Sequence, residues 1–310
     1  MRSWYESPGL QINHSYTYKR HSHTFVALPF TARELIDMSD VAVVTGAGSG
    51  IGRAIASKLV EDYLVILVDI NPKGLAEVEK ELTSAGHKVF SLIGDVSLRE
   101  THKRARALAE EKGTLVSWVN CAGITRGAPL HDFPNDPTLM DEIIGINQVG
   151  TFWGCAEAVA SFVTGKVKGA VVNISSVHGR RAWRDHAVYE MTKGAVDALT
   201  RNVATTYGPY GIRANAVAPG AVLTPALKEY FVKFGSKHRD ALERLTPLKR
   251  LADPSEIAEA VSFLLSSKAS YISGQSLAVE GGWLSALGSG DLDPDLAKKY
   301  GLSSENGLPL

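Results

Sequence analysis

The stretch Val41-Ala42-Val43-Val44-Thr45-Gly46-Ala47-Gly48-Ser49-Gly50-Ile51-Gly52 decides the fold. Its first part, Val41–Thr45, is a short apolar run that fits a strand buried on both faces. Its second part crowds glycines into a turn and opens a segment of helical period, Ile51–Asp62. A strand that turns sharply into a helix in this way lets backbone N–H groups approach a pyrophosphate, whose charge the helix N-terminus favours. Gly46, Gly50 and Gly52, with Ser49 and Ile51 between them, are the candidate phosphate-facing residues. The same glycines would also suit a plain turn, so the surrounding pattern has to arbitrate.

Working outward, Leu64–Asp69, Val89–Ile93, Val116–Asn120, Ala170–Ser175, Ala214–Ala218 and Ser276–Val279 read as further buried strands. Between them lie helical patterns over Gly74–Ala85, Leu98–Lys112, Met140–Thr164, Ala187–Gly208 and Pro254–Ser266. Strands alternating with helices need crossover connections, nearly always right-handed, which predicts an α/β fold with a doubly wound, mainly parallel sheet of about seven strands. In such a sheet Asp69 ends the second strand, 17 residues after Gly52. There a carboxylate can accept from the adenosine ribose hydroxyls and would repel a 2′-phosphate, which favours NAD over NADP; a helix cap or a solvated strand-end Asp is the plainer reading. The regular alternation starts at Met38, so residues 1–37 read as an extension, 38–284 as one catalytic domain and 285–310 as a C-terminal tail.

Bulk composition narrows the partners. The chain has 310 residues, with 33 Lys plus Arg against 33 Asp plus Glu, and therefore no excess positive field for nucleic acid or anionic lipid. No apolar run approaches the ~20 residues that span a bilayer. Its 2 cysteines, Cys121 and Cys155, are too few for a disulfide framework, and no metal-ligand spacing is present. A cytoplasmic protein with no metal, no membrane and no nucleic-acid partner is expected.

The chemistry is read from Ser176, Tyr189 and Lys193. Tyr189 and Lys193 stand at i and i+4 on a predicted helix and so share a face. A tyrosine with an ordinary pKa near ~10 is a poor base at neutral pH, but a nearby ammonium and an oxidised nicotinamide both favour the phenolate. Ser176 lies 13 residues before Tyr189, at the exit of an apolar strand, where a hydroxyl can face a ligand cleft. Together with the glycine turn, Asp95, Asn120-Cys121-Ala122-Gly123, Asn147 and Pro219-Gly220 followed by Thr224, these motifs resemble the short-chain dehydrogenase/reductase family, over approximately Met38 to Leu284.

The resemblance implies a Rossmann-type domain and roles for particular residues. Asp95 would bind the adenine amino group with the backbone of Val96 nearby, and Asn120 and Gly123 would lie beside the adenosine ribose. Asn147 would hold a water in a proton relay, Ser176 would hydrogen-bond the substrate oxygen, and Tyr189 would exchange its proton. Lys193 would bind the nicotinamide ribose and favour the Tyr189 phenolate, while Pro219, Gly220, Val222 and Thr224 would border the nicotinamide. Cys121 departs from the family's frequent second Asn without touching a catalytic role. The implied activity is NAD-dependent interconversion of a secondary alcohol and a ketone.

The substrate is less legible. His178, two positions after Ser176, resembles the sugar-dehydrogenase branch and suggests a sugar, polyol or polar cyclic alcohol or ketone at Ser176, His178 and Tyr189. Arg180, Arg181 and Arg184 could bind a carboxylate or serve a solvated loop or a subunit contact. Leu223–Pro247 would be the family's mobile lid, with Phe231 and Phe234 shaping the pocket or packing on the core. The helices Met140–Thr164 and Ala187–Gly208 would form a homotetramer or dimer interface. A non-catalytic NAD(H)-binding redox sensor or a scaffold is the rival reading, and it does not explain why both Tyr189 and Lys193 are in place.

Overall fold

The computed structural model describes residues 39–235 and 237–286. The expected extension over 1–37 lies outside these residues, as does the expected tail apart from Ser285 and Ala286. Strands β1 (Asp40–Thr45), β2 (Leu64–Asp69), β3 (Val89–Ile93), β4 (Thr114–Asn120), β5 (Ala170–Ile174), β6 (Arg213–Pro219) and β7 (Ser276–Val279) carry the apolar runs. They form a seven-stranded parallel sheet in the order β3-β2-β1-β4-β5-β6-β7. The connecting helices are α1 (Gly50–Leu59), α2 (Pro72–Ser84), α3 (Arg99–Lys112), α4 (Thr138–Ile143), α5 (Gly150–Gly165), α6 (Ala187–Tyr207), α7 (Pro225–Phe234), α8 (Lys237–Leu245) and α9 (Pro254–Leu265).

Strand alternation sends successive side chains to opposite faces, and both faces are covered. Ala42, Val44, Val65 and Leu67 pack with Ile55 and Leu59 of α1, Leu75 and Val78 of α2, and Ile257 and Val261 of α9. Val41, Val43, Ile66 and Val68 pack with Ala105 of α3, Phe162 of α5 and Val203 of α6. Chain order runs outward in opposite directions from β1 and β4, so the ends of these neighbours at Thr45 and Asn120 flank the crevice where an open α/β sheet binds ligands.

Several elements depart from the sequence expectation. α2 starts at Pro72 instead of Gly74, because the Asn71 side chain accepts from the N–H groups of Lys73 at 3.1 Å and Gly74 at 3.3 Å. β4 starts at Thr114, and its register against β1 jumps between Val41–Leu115 and Ala42–Ser117, leaving Val116 as the extra residue of a bulge. The single helix expected over Met140–Thr164 is divided by a wide π turn, Ile144–Val149, in which the Gly150 N–H bonds five residues back to the Gly145 carbonyl. The segment 223–247, expected as a lid, is mainly two helices, α7 and α8, with no buried residue in either among those described.

Candidate active site

At the glycine end, the Thr45 hydroxyl accepts from the N–H groups of Cys121 at 3.0 Å and Ala122 at 3.2 Å, joining the ends of β1 and β4. The turn then passes too close to its surroundings for side chains. Gly46 has φ 71, and a Cβ there would stand 2.8 Å from the Ala122 Cα. A Cβ on Gly52 would stand 2.0 Å from the Gly46 carbonyl oxygen. α1 therefore begins as bare backbone: Ser49 makes no side-chain cap bond, and no acid stands in the first turn. Uncapped N–H groups at the positive end of a helix suit a pyrophosphate, so the residues present fit a dinucleotide. Thr224, which caps α7, lies over this turn, where a Cβ on Gly50 would meet its Cγ2 at 3.3 Å.

On the adenosine side, Asp69 accepts from the Gly48 N–H through one carboxylate oxygen and from the Asn71 N–H through the other, both at 2.8 Å. Asp95 accepts from the Ser97 N–H at 2.8 Å, and among the described residues nothing donates to its other oxygen. The Val96 carbonyl accepts from His102 Nε2 at 2.7 Å, and burial keeps His102 below the usual histidine range. Asn120 turns its side chain inward. It accepts from Trp118 Nε1 at 2.9 Å and donates to Asn173 at 2.8 Å, which donates to Thr200 at 2.9 Å. Only its backbone is left toward the crevice.

The catalytic candidates converge at the end of β5. Ser176 is buried, and its Oγ accepts from the His178 N–H at 3.2 Å, which leaves its own proton free to donate. Lys193, buried in the second turn of α6, donates from Nζ to the Ile174 carbonyl at 2.8 Å and stands 5.6 Å from the Tyr189 ring centre. A Cβ on Gly123 would lie 3.2 Å from Asn147 Oδ1 and 3.7 Å from Lys193 Nζ, so these three residues adjoin. Asn147 sits in the π turn with its amide paired to both the N–H and the carbonyl of Ile124 at 2.9 Å, and it donates to Thr192 at 3.3 Å. Its backbone carbonyl accepts from Thr151 Oγ1 at 2.7 Å and keeps a second lone pair that suits a water. π turns recur at functional sites.

Gly220, after Pro219 at the end of β6, donates to the Val279 carbonyl at 3.0 Å, and Val222 bridges to Ala252. Arg180 and Arg181 are exposed and donate to the carbonyls of Ser276 and Leu284, and Arg184 is exposed beside Asp185 at 3.4 Å. Arg53 is ion-paired with Glu81. The rings of α7 pack mainly on one another, with Tyr230 and Phe234 centred 4.6 Å apart. Both cysteines are free thiols, each pushed up to about 12 by burial. The residues that sequence reasoning missed are Trp183, His186, Glu190 and Trp283, gathered around His178 and Tyr189. The described residues contain no cluster of three or more His, Cys, Asp or Glu placed for a metal and no helix long and apolar enough to cross a membrane.

A family profile described as enoyl-(acyl carrier protein) reductase matches residues 46–284. The chain belongs to the short-chain dehydrogenase/reductase family, a family of oxidoreductases. It is 37% identical over 249 residues to 2-(S)-hydroxypropyl-CoM dehydrogenase 3 of Xanthobacter autotrophicus, covering 79% of this chain and 96% of that one. It is 34% identical over 246 residues to 3beta-hydroxysteroid dehydrogenase 1 of Eggerthella lenta, covering 77% and 92%. A solved gluconate 5-dehydrogenase from Burkholderia cenocepacia, in complex with NADP and tartrate, superposes with a TM-score of 0.74 at 30% identity, covering 80% and 96%.

Proposed function

We propose that this chain is an NAD-dependent dehydrogenase that interconverts a secondary alcohol and a ketone, with Ser176, Tyr189 and Lys193 as its acid–base system. The observation that carries the reading is the buried Lys193 ammonium, held on the Ile174 carbonyl beside Ser176 and near the Tyr189 ring. An ammonium is buried in a folded protein only where it has partners, and here it can also meet ribose hydroxyls. Two of the relatives are named for the dehydrogenation of a hydroxyl compound.

A bound nicotinamide would accept or return the hydride. In oxidation Ser176 donates to the substrate oxygen and steadies its partial negative charge, and Tyr189 takes the hydroxyl proton. Lys193 favours the charged form of Tyr189, and the Asn147 carbonyl holds a water on the proton's exit route. Gly46, Ser49, Gly50, Ile51 and Gly52 face the pyrophosphate. Asp95, Val96 and the strand end from Asn120 to Gly123 border the adenosine, while Pro219, Gly220, Val222 and Thr224 border the nicotinamide. His178 belongs to the substrate side.

Two features support NAD over NADP. Asp69 would oppose a 2′-phosphate, and Arg53, the cation able to offset it, is engaged by Glu81. Asp69→Asn keeps an acceptor for the Gly48 N–H while removing the charge, so NAD-over-NADP discrimination in kcat/KM should fall at least about tenfold. A wild type that prefers NADP would show the assignment wrong. The catalytic unit in this reading is 38–284, working in the cytoplasm on a polar or cyclic alcohol or ketone. Half-exposed Phe152 of α5 and exposed Met191 of α6 support a homo-oligomer formed through these helices.

The first experiment follows NADH absorbance across sugars, polyols, cyclic alcohols and ketones. Acid–base catalysis is worth about 100- to 10,000-fold, so Tyr189→Phe should lose at least about 100-fold in kcat with its unfolding temperature unchanged. A folded Tyr189→Phe protein with near wild-type turnover would sink the acid–base assignment.

A further inference from the structure

Around Tyr189 and His178 the structure gathers three rings, Trp183, His186 and Trp283, to which the reaction assigns no role. His178 has ring centres 5.8 Å from Tyr189, 6.2 Å from Trp183 and 6.2 Å from Trp283, all edge-on, and 6.1 Å from His186 in a stacked pair. Trp183 and Trp283 are themselves 6.1 Å apart at 86°. These distances lie within the range of aromatic contact.

The two tryptophans come from segments distant in sequence, yet both segments are fastened. The Trp183 N–H donates to the Glu190 carboxylate. Arg181 donates to the Leu284 carbonyl at 3.2 Å, and the Leu284 N–H donates to Glu280 at 2.9 Å, which ties the Trp283 turn down. Between Trp183 and His186, Asp185 takes φ 62, an unfavourable region for a residue with a side chain, and its carbonyl accepts from the Ala128 N–H at 2.8 Å. Strain of this kind persists where surrounding contacts impose it.

Trp183 remains 37% exposed, and Trp283 is partly exposed, so apolar ring surface is available beside the reacting side chain. Three arginines follow His178 in this segment, each with one partner. Arg180 and Arg181 donate to backbone carbonyls and Arg184 adjoins Asp185. His178 is held below the usual histidine range, chiefly by burial and then by His186. Glu190 lies 3.8 Å from His178 Nδ1.

We propose that Trp183 and Trp283 are specificity-determining residues that stack the ring of an uncharged cyclic alcohol or ketone beside Tyr189, an inference that rests on the alcohol–ketone reading above. Aliphatic ring C–H groups lie well on aromatic faces, and Glu190 beside His178 disfavours an anion at this spot.

The test compares 2-decalone with 2-decanone, which has the same number of carbons without a ring, using the full chain with reduced coenzyme. Trp183→Ala and Trp283→Ala should each raise KM for 2-decalone about 3- to 10-fold while changing kcat and the 2-decanone KM less than about twofold. Trp183→Phe should recover most of the loss. Equal effects on both ketones, or an unchanged 2-decalone KM, would overturn the proposal. Saturation-transfer NMR of 2-decalone supplies a readout without turnover: a signal is expected with wild type and with Tyr189→Phe, reduced in both alanine variants. A wild type that neither binds nor reduces 2-decalone also overturns it. Retained turnover in Tyr189→Phe would instead break the acid–base reading, while the KM comparison would still decide the role of the tryptophans.

Discussion

The N-termini of α1 and α9 face the same physical problem and answer it in opposite ways. Both helices cover the same face of the sheet, and each begins with backbone N–H groups that no earlier turn can accept. α9 satisfies its own. Asp253 accepts from the Ser255 N–H at 2.9 Å, Glu256 accepts from the Asp253 N–H at 2.8 Å, Pro254 occupies the first turn, and Arg250 pairs with both Glu256 oxygens at 2.7 Å. α1 has none of this: its Ser49 side chain caps nothing, and glycines stand where an acid would. A helix terminus that keeps its caps contributes stability, whereas one that omits them leaves the same groups open for an anionic ligand. On the proposed function, the difference would separate a structural helix from a binding one.

The sharpest way to break this comparison is to add one methyl group to the binding helix. In Gly52→Ala the new Cβ would meet the Gly46 carbonyl carbon at 2.6 Å as well as its oxygen, and backbone cannot step aside as a side chain can. Overpacking of this kind costs ~1–3 kcal/mol, and the displaced turn no longer presents its N–H groups to a pyrophosphate. We expect NADH affinity, read by fluorescence titration, to fall at least about tenfold and the unfolding temperature to drop by several degrees. Wild-type affinity in this variant would mean that the turn does not hold the dinucleotide.

A smaller effect, opposite in sign for stability and binding, is expected from Ser49→Asp. A carboxylate at this position caps α1 and complements its dipole, which should stabilise the coenzyme-free protein by ~0.3–1 kcal/mol. The same charge stands where the pyrophosphate would lie, so NADH should bind about tenfold more weakly. Thermal melts with and without NADH measure both. Gain of stability with unchanged affinity would place the phosphates elsewhere.

The sequence made the α1 contrast legible because glycine and Ser49 are local signals, and the Ser176, Tyr189 and Lys193 positions were legible because each lies at a strand exit or a fixed helical spacing. The seven strands were legible because burial on both faces writes an unbroken apolar run. What stayed hidden depends on contacts or on single extra residues. The π turn at Asn147 adds one residue inside a long apolar helix pattern without changing which residue types face the core, and the Val116 bulge does the same in β4. Asn120 is expected to form the strand end beside the ribose, and its residue type alone does not tell that strand alternation turns its side chain toward Asn173. Trp183 and Trp283 carry no periodic signal at all, since only the path of the chain after β7 brings the second beside the first.

The smallest effect, and the control for the comparison, is Asp253→Ala on α9. Loss of a helix cap costs ~1 kcal/mol, and among the described residues the Asp253 side chain accepts only from Ser255, so the unfolding free energy should fall by that amount while the NADH affinity stays within about twofold. The pH dependence identifies the cause. The Ser255 side chain and N–H hold Asp253 below the usual carboxylate range, and Arg250 does the same for Glu256. A carboxylate whose pKa is lower folded than unfolded contributes its full stabilisation above the unfolded value, near ~4, and loses it as pH falls through the folded value. The difference between wild type and Asp253→Ala should therefore be flat at neutral pH and shrink below about pH 4. A difference that persists in acid would assign the loss to packing instead of the cap. A fall in NADH affinity as large as the loss of stability would mean that the two helix termini are coupled and that the division between structural and binding helix does not hold.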